Sequence, residues 1–539
     1  MVFSIIQIVV VSLTCVAASM EHLHMLQLGR YQLPAYRLWL SRSHERLLKD
    51  HVLWAFLTAI LSVYLPVLLS MFMPVAETRE VVAGWALLAG FALALGRIAW
   101  RDLTTPSKRP LAFTRRIIRL MVLLLLICLA ITAVLTLLLH IPPYFLFVGM
   151  PYVVFLAARI LEPYETRLND AYLRSARTKL RGMKNLTVIG ITGSFGKTQT
   201  KFILRDLLSK KFSVLATPAS FNTDLGIARC VNDELTPEHR VFIVEMGASH
   251  LGDIKKLVGL VRPKYGILTG IGRQHIDTFG SVENIASTKY ELMRGLPKDG
   301  FAVFGSGDDY IDRLYAKSTR EKVRVSLAPD DTAELWVTDM DFSAKGTSFA
   351  LWSRDGDRLP CRIPLLGRFA VKDFLMAAAM ARHMGMSLEE IVDAARELTQ
   401  LDHHMQLIPG GEGELNMIDD TLNEDAETAD AAMDVLARMP GRRVVVTPGV
   451  ANQDGQEKEV NYALGTRMAD SADSVILVGH RFFTRSIVRG LMDAGFSRER
   501  LYTAEDADAA DELIQELTEP GDTVLFESSI PDYEVEEEE

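Results

Sequence analysis

Four cysteines in 539 residues are too few and too scattered for a disulfide framework or a four-cysteine zinc site. Cys15 and Cys128 fall in apolar runs, and Cys230 and Cys361 stand alone. Positive charge is also short: 58 Lys and Arg meet 68 Asp and Glu, a formal net charge of −10 that argues against a nucleic-acid partner. No Lys or Arg precedes Arg30, so the apolar start of the chain lacks the basic leader of a secretory signal.

Hydrophobic residues are abundant, at 49%, and they gather at the front. Runs over 2–18, 52–73, 81–99, 120–139 and 141–161 are long enough, or nearly so, to cross a bilayer. Arg30, Arg37, Arg42, Arg46 and Lys49 follow the first run, and Arg101, Lys108, Arg109, Arg115, Arg116 and Arg119 follow the third. The alternate loops are nearly bare of basic residues, with Arg79 alone in one. The positive-inside rule then predicts five spans, an external N-terminus and everything beyond the fifth run in the cytoplasm, against membrane lipid. Basic residues dominate the first 160 positions, fourteen against six acidic, so the acidic balance lies in the rest of the chain.

From 185 onward the pattern is α/β. Apolar strand runs at 187–192, 212–216, 241–245, 265–269 and 301–304 alternate with helical periodicity, as over 198–209 and 282–294, which predicts a parallel sheet. Short alternating runs at 335–338 and 347–352 predict an antiparallel appendage, and strands at 443–447, 474–478 and 523–526 a second, smaller α/β unit. The expected division is a transmembrane domain over 1–161, a connector over 162–184, a central domain over 185–400, a C-terminal domain over 401–533 and an acidic tail over 534–539.

The first predicted strand ends in Thr192-Gly193-Ser194-Phe195-Gly196-Lys197-Thr198. A strand delivering glycines to a helix N-terminus aims backbone N–H groups and a positive dipole end at one point, which suits a phosphate. Lys197 then reaches the β and γ phosphates of a nucleotide, and the Thr198 hydroxyl holds Mg2+. The compact Thr-Gly-x-x-Gly-Lys-Thr spacing resembles the loop of the Mur ligases, which couple ATP hydrolysis to amide-bond formation.

Further motifs extend the resemblance over about residues 184–533. Glu245-Met246-Gly247, then His275, then Phe279-Gly280-Ser281 and the segment with Lys289 and Glu291 resemble the Mur order of metal ligands. The resemblance implies that Glu245 and His275 bind Mg2+ and that Lys289 carries a carbamate supporting a second ion. Asn222 lies in a segment that resembles the one near the acceptor substrate in the MurF branch, though it or Thr223 equally suits a helix cap. Asp420 and Asn423 lie in a stretch resembling the MurF Ile-Asp-Asp-x-Tyr-Asn motif, with Leu422 in place of Tyr, and are the implied substrate-facing residues. Phe369, Ala370 and Asp373 stand where the family has His, Asn and Asn near adenosine.

The resemblance implies a MurF-like ATP-dependent ligase that forms an acyl phosphate and lets an amine displace it, in cell-wall peptidoglycan synthesis or modification at the cytoplasmic membrane face. The implied amine is a small amino acid or dipeptide, and the implied acceptor a lipid-linked or UDP-linked wall precursor. The family's UDP-gripping N-terminal domain is missing and the apolar segment stands in its place. A membrane-bound ligase for capsular or γ-linked peptide and a non-catalytic scaffold derived from a ligase remain open readings.

Overall fold

The computed structural model describes residues 2–29, 31–42, 76–104, 111–141, 143–219, 221–410, 414–422, 426–450, 456–479 and 481–528. The chain divides into two compact units, Met1–Asp170 and Ala171–Glu539.

The first unit is helical, with helices Val2–Ala17, Met20–Leu28, Leu33–Arg42, Ala76–Thr104 and Arg115–Ala133. Its core gathers Val11, Cys15, Leu23, Phe91, Leu124 and Phe147. Apolar residues also point outward: Ile118, Val122 and Leu126 are about half exposed on the helix that buries Leu120 and Leu124. A helix that is apolar all round suits a lipid or protein surrounding rather than water. The buried Glu165 carboxylate is paired: Arg119 grips it through two bonds of 2.7 and 2.8 Å.

Among the described residues, two stretches are long and apolar enough to cross a membrane, Phe3–Leu28 and Arg115–Leu138. The expected run 52–73 lies outside the described residues. The run 81–99 falls inside the helix Ala76–Thr104, where only Gly84–Leu93 is a continuous apolar segment among the described residues. The run 141–161 is not one span: Pro143–Gly149 is a 3-10 turn, and the helix Met150–Gly182 continues well past Leu161. Pro143 and Pro151 explain that division, since neither can donate a helical N–H and Pro151 fits the first turn of a new helix. The expected connector is thus largely the second half of this helix.

In the second unit, strands β1 (Thr187–Thr192), β2 (Val214–Ala216), β3 (Val241–Glu245), β4 (Tyr265–Leu268), β5 (Phe301–Phe304) and β6 (Glu321–Ser326) form the parallel part of one sheet. β7 (Leu335–Ser343), β8 (Gly346–Ser353) and β9 (Arg358–Ile363) extend it, in the order β2-β3-β1-β4-β5-β6-β7-β8-β9. The expected appendage is therefore antiparallel within itself but joined edge to edge, because β7 pairs parallel with β6. β1 and β3 are buried on both faces, as apolar runs such as Val241-Phe242-Ile243-Val244 require. The helix predicted over 282–294 is two short ones, Val282–Lys289 and Glu291–Gly295, meeting at Tyr290. The helix Arg368–His383 packs its buried Ala377, Ala378 and Phe374 in the same core as Leu204 and Leu207 of the helix Lys197–Ser209.

A second sheet holds β10 (Gln406–Ile408), β11 (Asn416–Asp420), β12 (Arg443–Thr447), β13 (Ser474–Val478), β14 (Leu501–Ala504) and β15 (Thr523–Glu527), in the order β10-β11-β15-β12-β13-β14. Only β10 runs antiparallel among its described pairings. All four cysteines are free and buried.

Asp420 and Glu527 face each other in register at the ends of β11 and β15, both without solvent exposure. Neither Glu527 oxygen has a hydrogen-bond partner. Burial first, and the neighbouring Asp420 second, push the Glu527 carboxyl well above its ordinary range. A raised carboxyl stabilises the fold while protonated, so its contribution is full below the ordinary carboxylate pKa and is lost as pH rises through the folded value. Glu527→Gln is expected to melt higher than the parent at pH 8, by about 1–3 kcal/mol of stability, and to differ little at pH 4. Thermal unfolding at the two pH values measures this.

Candidate active site

β1 ends against a loop that only glycine can build. A Cβ on Gly193 would overlap the Thr269 hydroxyl, and Gly196 caps the next helix with φ 73° where a Cβ would overlap the Asp373 carboxyl. The loop is pinned from the neighbouring strand end: Ser194 N–H donates to the Gly270 carbonyl at 2.9 Å, and Gly272 N–H donates to Ser194 Oγ at 2.8 Å. The Phe195 ring lies over Gly270 and Gly272 and comes within 6.2 Å, centroid to centroid, of Phe369.

Two amines fold onto this loop. Lys197 Nζ donates to the Ser194 carbonyl at 2.9 Å, and Lys289 Nζ donates to the Gly193 carbonyl at 2.8 Å. Burial lowers the Lys197 ammonium, with Glu245 and Asp373 acting the other way. Burial, then the charge of Lys197, lower Lys289 to about 7. Near neutral pH a large share of Lys289 is therefore free amine.

The Glu245 carboxylate, at the end of β3, is buried and held from three sides. Thr198 Oγ1 and Lys201 Nζ each donate to Oε2 at 3.0 Å, and Asn222 Nδ2 donates to Oε1 at 3.1 Å. Thr223, not Asn222, caps the helix Asp224–Asp233 by accepting from Gly226 N–H. A hydroxyl and a carboxylate this close form a hard-oxygen pair, the donor type Mg2+ takes, so these residues fit a magnesium ion bound beside phosphate.

The structure thus brings Thr198, Glu245 and Asn222 into one bonded network, with Lys197 and Lys289 on the loop beside it. His275 is exposed, in a left-handed conformation with φ 59° at the start of the short helix Ile276–Phe279. No three His, Cys, Asp or Glu side chains cluster for a metal ion among the described residues. Asp420 belongs to the second sheet, is fully buried and accepts Met405 N–H at 2.8 Å. Asn423 lies outside the described residues.

Two residues went unread in the sequence. Lys201 was legible in principle, since it follows Lys197 at i+4 and shares its helix face. Asp373 shows only as a substituted position. Burial pushes its carboxyl up to about 8 although Lys372, Thr200 and Lys197 all pull it down, and no sequence pattern carries that information.

Residues 191–381 match the Mur ligase middle domain, and residues 403–530 match the Mur ligase glutamate ligase domain. The UDP-N-acetylmuramoyl-tripeptide–D-alanyl-D-alanine ligase of Escherichia coli K12 is 28% identical over 306 residues, 56% of this chain and 67% of the relative. The enzyme of the same name from Mycobacterium bovis is 30% identical over 366 residues, 64% of this chain and 70% of the relative. The crystal structure of MurF from Acinetobacter baumannii superposes with a TM-score of 0.58 at 25% identity, covering 67% of this chain and 77% of that one.

The loop geometry yields a paired stability test. Gly196→Ala meets both a left-handed backbone and the Asp373 carboxyl, whereas Gly252→Ala meets a left-handed backbone, φ 82°, in open space. Gly252→Ala is expected to cost about 1 kcal/mol and Gly196→Ala about 2–4 kcal/mol, read from denaturant unfolding of the two variants side by side.

Proposed function

The chain belongs to the Mur ligase family of ATP-dependent peptide ligases, and from that premise we propose that it joins a small amine to a carboxylate of a cell-wall precursor at the cytoplasmic face of the membrane. The observation that carries this reading is the convergence of Lys197, Thr198, Glu245 and Lys289 on one glycine loop at the carboxyl end of β1. Its relatives' names describe a UDP-linked muramoyl tripeptide and a D-alanyl-D-alanine dipeptide as reactants. We take the same chemical classes for this chain: a peptide ending in a free carboxylate, and an amino acid or dipeptide with a free amine.

A carboxylate is a poor acyl donor until its oxygen carries phosphate. Attack of that oxygen on the γ-phosphorus of ATP forms the acyl phosphate and releases ADP, and attack by the amine then forms the amide and releases phosphate. The first step needs positioning and charge neutralisation more than covalent help. The loop amides and Lys197 hold the phosphates, and Lys197 swings from the Ser194 carbonyl to do so. Thr198 and Glu245 would give Mg2+ oxygen ligands and His275 a ring nitrogen, and a carbamate on Lys289 would give oxygens to a second ion. Bound there, magnesium supplies positive charge to the transferring phosphoryl group. A neutral Lys289 amine adds carbon dioxide and gives up one proton to solvent, which leaves an anionic carbamate beside Lys197. Asn222 faces the acceptor in this reading, and Asp420 and Asn423 belong to the amine side.

For the N-terminal unit we propose a multi-pass membrane segment with its N-terminus outside. Two apolar helices of spanning length and the basic residues of alternate loops support this. The acceptor is then presented at the membrane surface, as a lipid-linked precursor whose diphosphate meets Arg30, Arg37, Arg42 and Arg46 or Arg115 and Arg116 at headgroup level, Arg119 being held by Glu165.

ATP hydrolysis by the full-length protein with wall-precursor acceptors and candidate amines, the product identified by mass spectrometry, tests the activity. Amide product with stoichiometric ADP supports it, and failure to bind nucleotide at all favours the scaffold. Lys197→Ala is expected to lower ADP release at least about 1,000-fold. Lys289→Ala is expected to lose nearly as much and to recover in part with added short carboxylates; unchanged turnover would return Lys289 to an ordinary helix lysine. Reporter fusions after Pro143 should read external and those after Lys184 cytoplasmic, and a cytoplasmic signal at Pro143 would break the proposed orientation.

A further inference from the structure

Lys201 lies one helical turn beyond Lys197 and has no solvent exposure. Its ammonium bridges two elements: it donates to Glu245 Oε2 at 3.0 Å and to the backbone carbonyl of Ala219. Ala219 stands in a left-handed conformation with φ 41°, which an alanine adopts only when its surroundings impose it. The same segment is tied again where the Thr217 hydroxyl accepts Glu245 N–H at 3.2 Å and the Asn222 carbonyl accepts Gly247 N–H at 2.9 Å. Three donors from two elements therefore occupy both Glu245 oxygens: Thr198 and Lys201 from one helix, and Asn222 from the segment that Lys201 fastens. A carboxylate so held cannot rotate about its last bond without abandoning a partner.

We propose that Lys201 is a positioning residue for the cation that accompanies the nucleotide: it fixes the orientation of Glu245 and locks the segment carrying Asn222 against the phosphate loop. This rests on the reading of the loop as a nucleotide site. Lys201 touches neither phosphate nor cation. It acts by keeping the Thr198 hydroxyl and the Glu245 carboxylate at the spacing of a hard-oxygen pair.

The test is calorimetric binding of ADP to full-length protein in detergent, with Mg2+ titrated and with the metal chelated, for the parent, Lys201→Met and Lys201→Arg. The expected result for Lys201→Met is metal-free ADP affinity within threefold of the parent and a Mg2+-dependent gain at least tenfold smaller, with Lys201→Arg recovering part of the gain. A parent-like gain in Lys201→Met overturns the proposal, as does tighter Mg2+ binding, or an equal loss of affinity with and without metal, which marks a purely structural role. Removal of one partner from a buried ion pair threatens folding. If Lys201→Met does not fold, Lys201→Arg decides: a Mg2+ half-saturation raised threefold or more supports the proposal and an unchanged one overturns it. A parent protein that binds no ADP under either condition defeats the nucleotide reading, and the Lys201 proposal falls with it.

Discussion

A carboxylate taken fully out of water must be given charge and hydrogen bonds in return, and Glu245 is the place where this chain meets that demand. The partners come from separate stretches: Thr198 and Lys201 from the helix after β1, and Asn222 from the segment after β2. Meeting the demand therefore fixes how three pieces of backbone stand at the carboxyl end of the sheet. β1 and β3 are neighbours in register, Ile191 beside Glu245, so the loop and the carboxylate are brought to one edge by the strand order itself.

A second constraint is repulsion. Lys197 and Lys289 each rest a side-chain nitrogen on a carbonyl of the same four-residue loop, close enough for the charge of Lys197 to depress Lys289. Asp373 lies behind that loop against Gly196, but burial holds its carboxyl partly neutral near physiological pH and limits what it returns. The loop thus carries a surplus of positive charge that an incoming polyphosphate relieves. The left-handed Gly196 and the Thr269 hydroxyl pressed against Gly193 keep it from collapsing around its own lysines.

Much of this was legible in the sequence for identifiable reasons. The strand, glycine turn and Lys-Thr pair are contiguous, and the apolar runs of β1, β3 and β5 are unmixed, so local pattern and tertiary role coincide. Lys201 escaped because its partners, Ala219 and Glu245, are 18 and 44 residues away, and a helix lysine looks the same whether it faces solvent or a buried acid. Asp420 lies in a recognisable motif, but nothing in the motif told that its side chain turns into the second sheet beside Glu527. In the helical unit, hydropathy marked the apolar stretches but not their ends, because the helix Met150–Gly182 passes from apolar to charged residues without a break in hydrogen bonding. The antiparallel strands were recognised as strands, yet their attachment through β6 and β7 is a pairing between edges that alternation along one strand cannot reveal.

The four buried cysteines have a practical consequence. Burial drives the Cys230 and Cys361 thiols up to about 12, so both remain protonated and shielded from maleimides and alkylating reagents at neutral pH. Cys15 and Cys128 are likewise enclosed, among the apolar side chains of the first unit. A cysteine placed on the surface by mutation would then be the sole ready target in an otherwise natural chain. Fluorophores, spin labels and impermeant thiol probes can be attached at chosen points without first stripping the protein of its own sulfur.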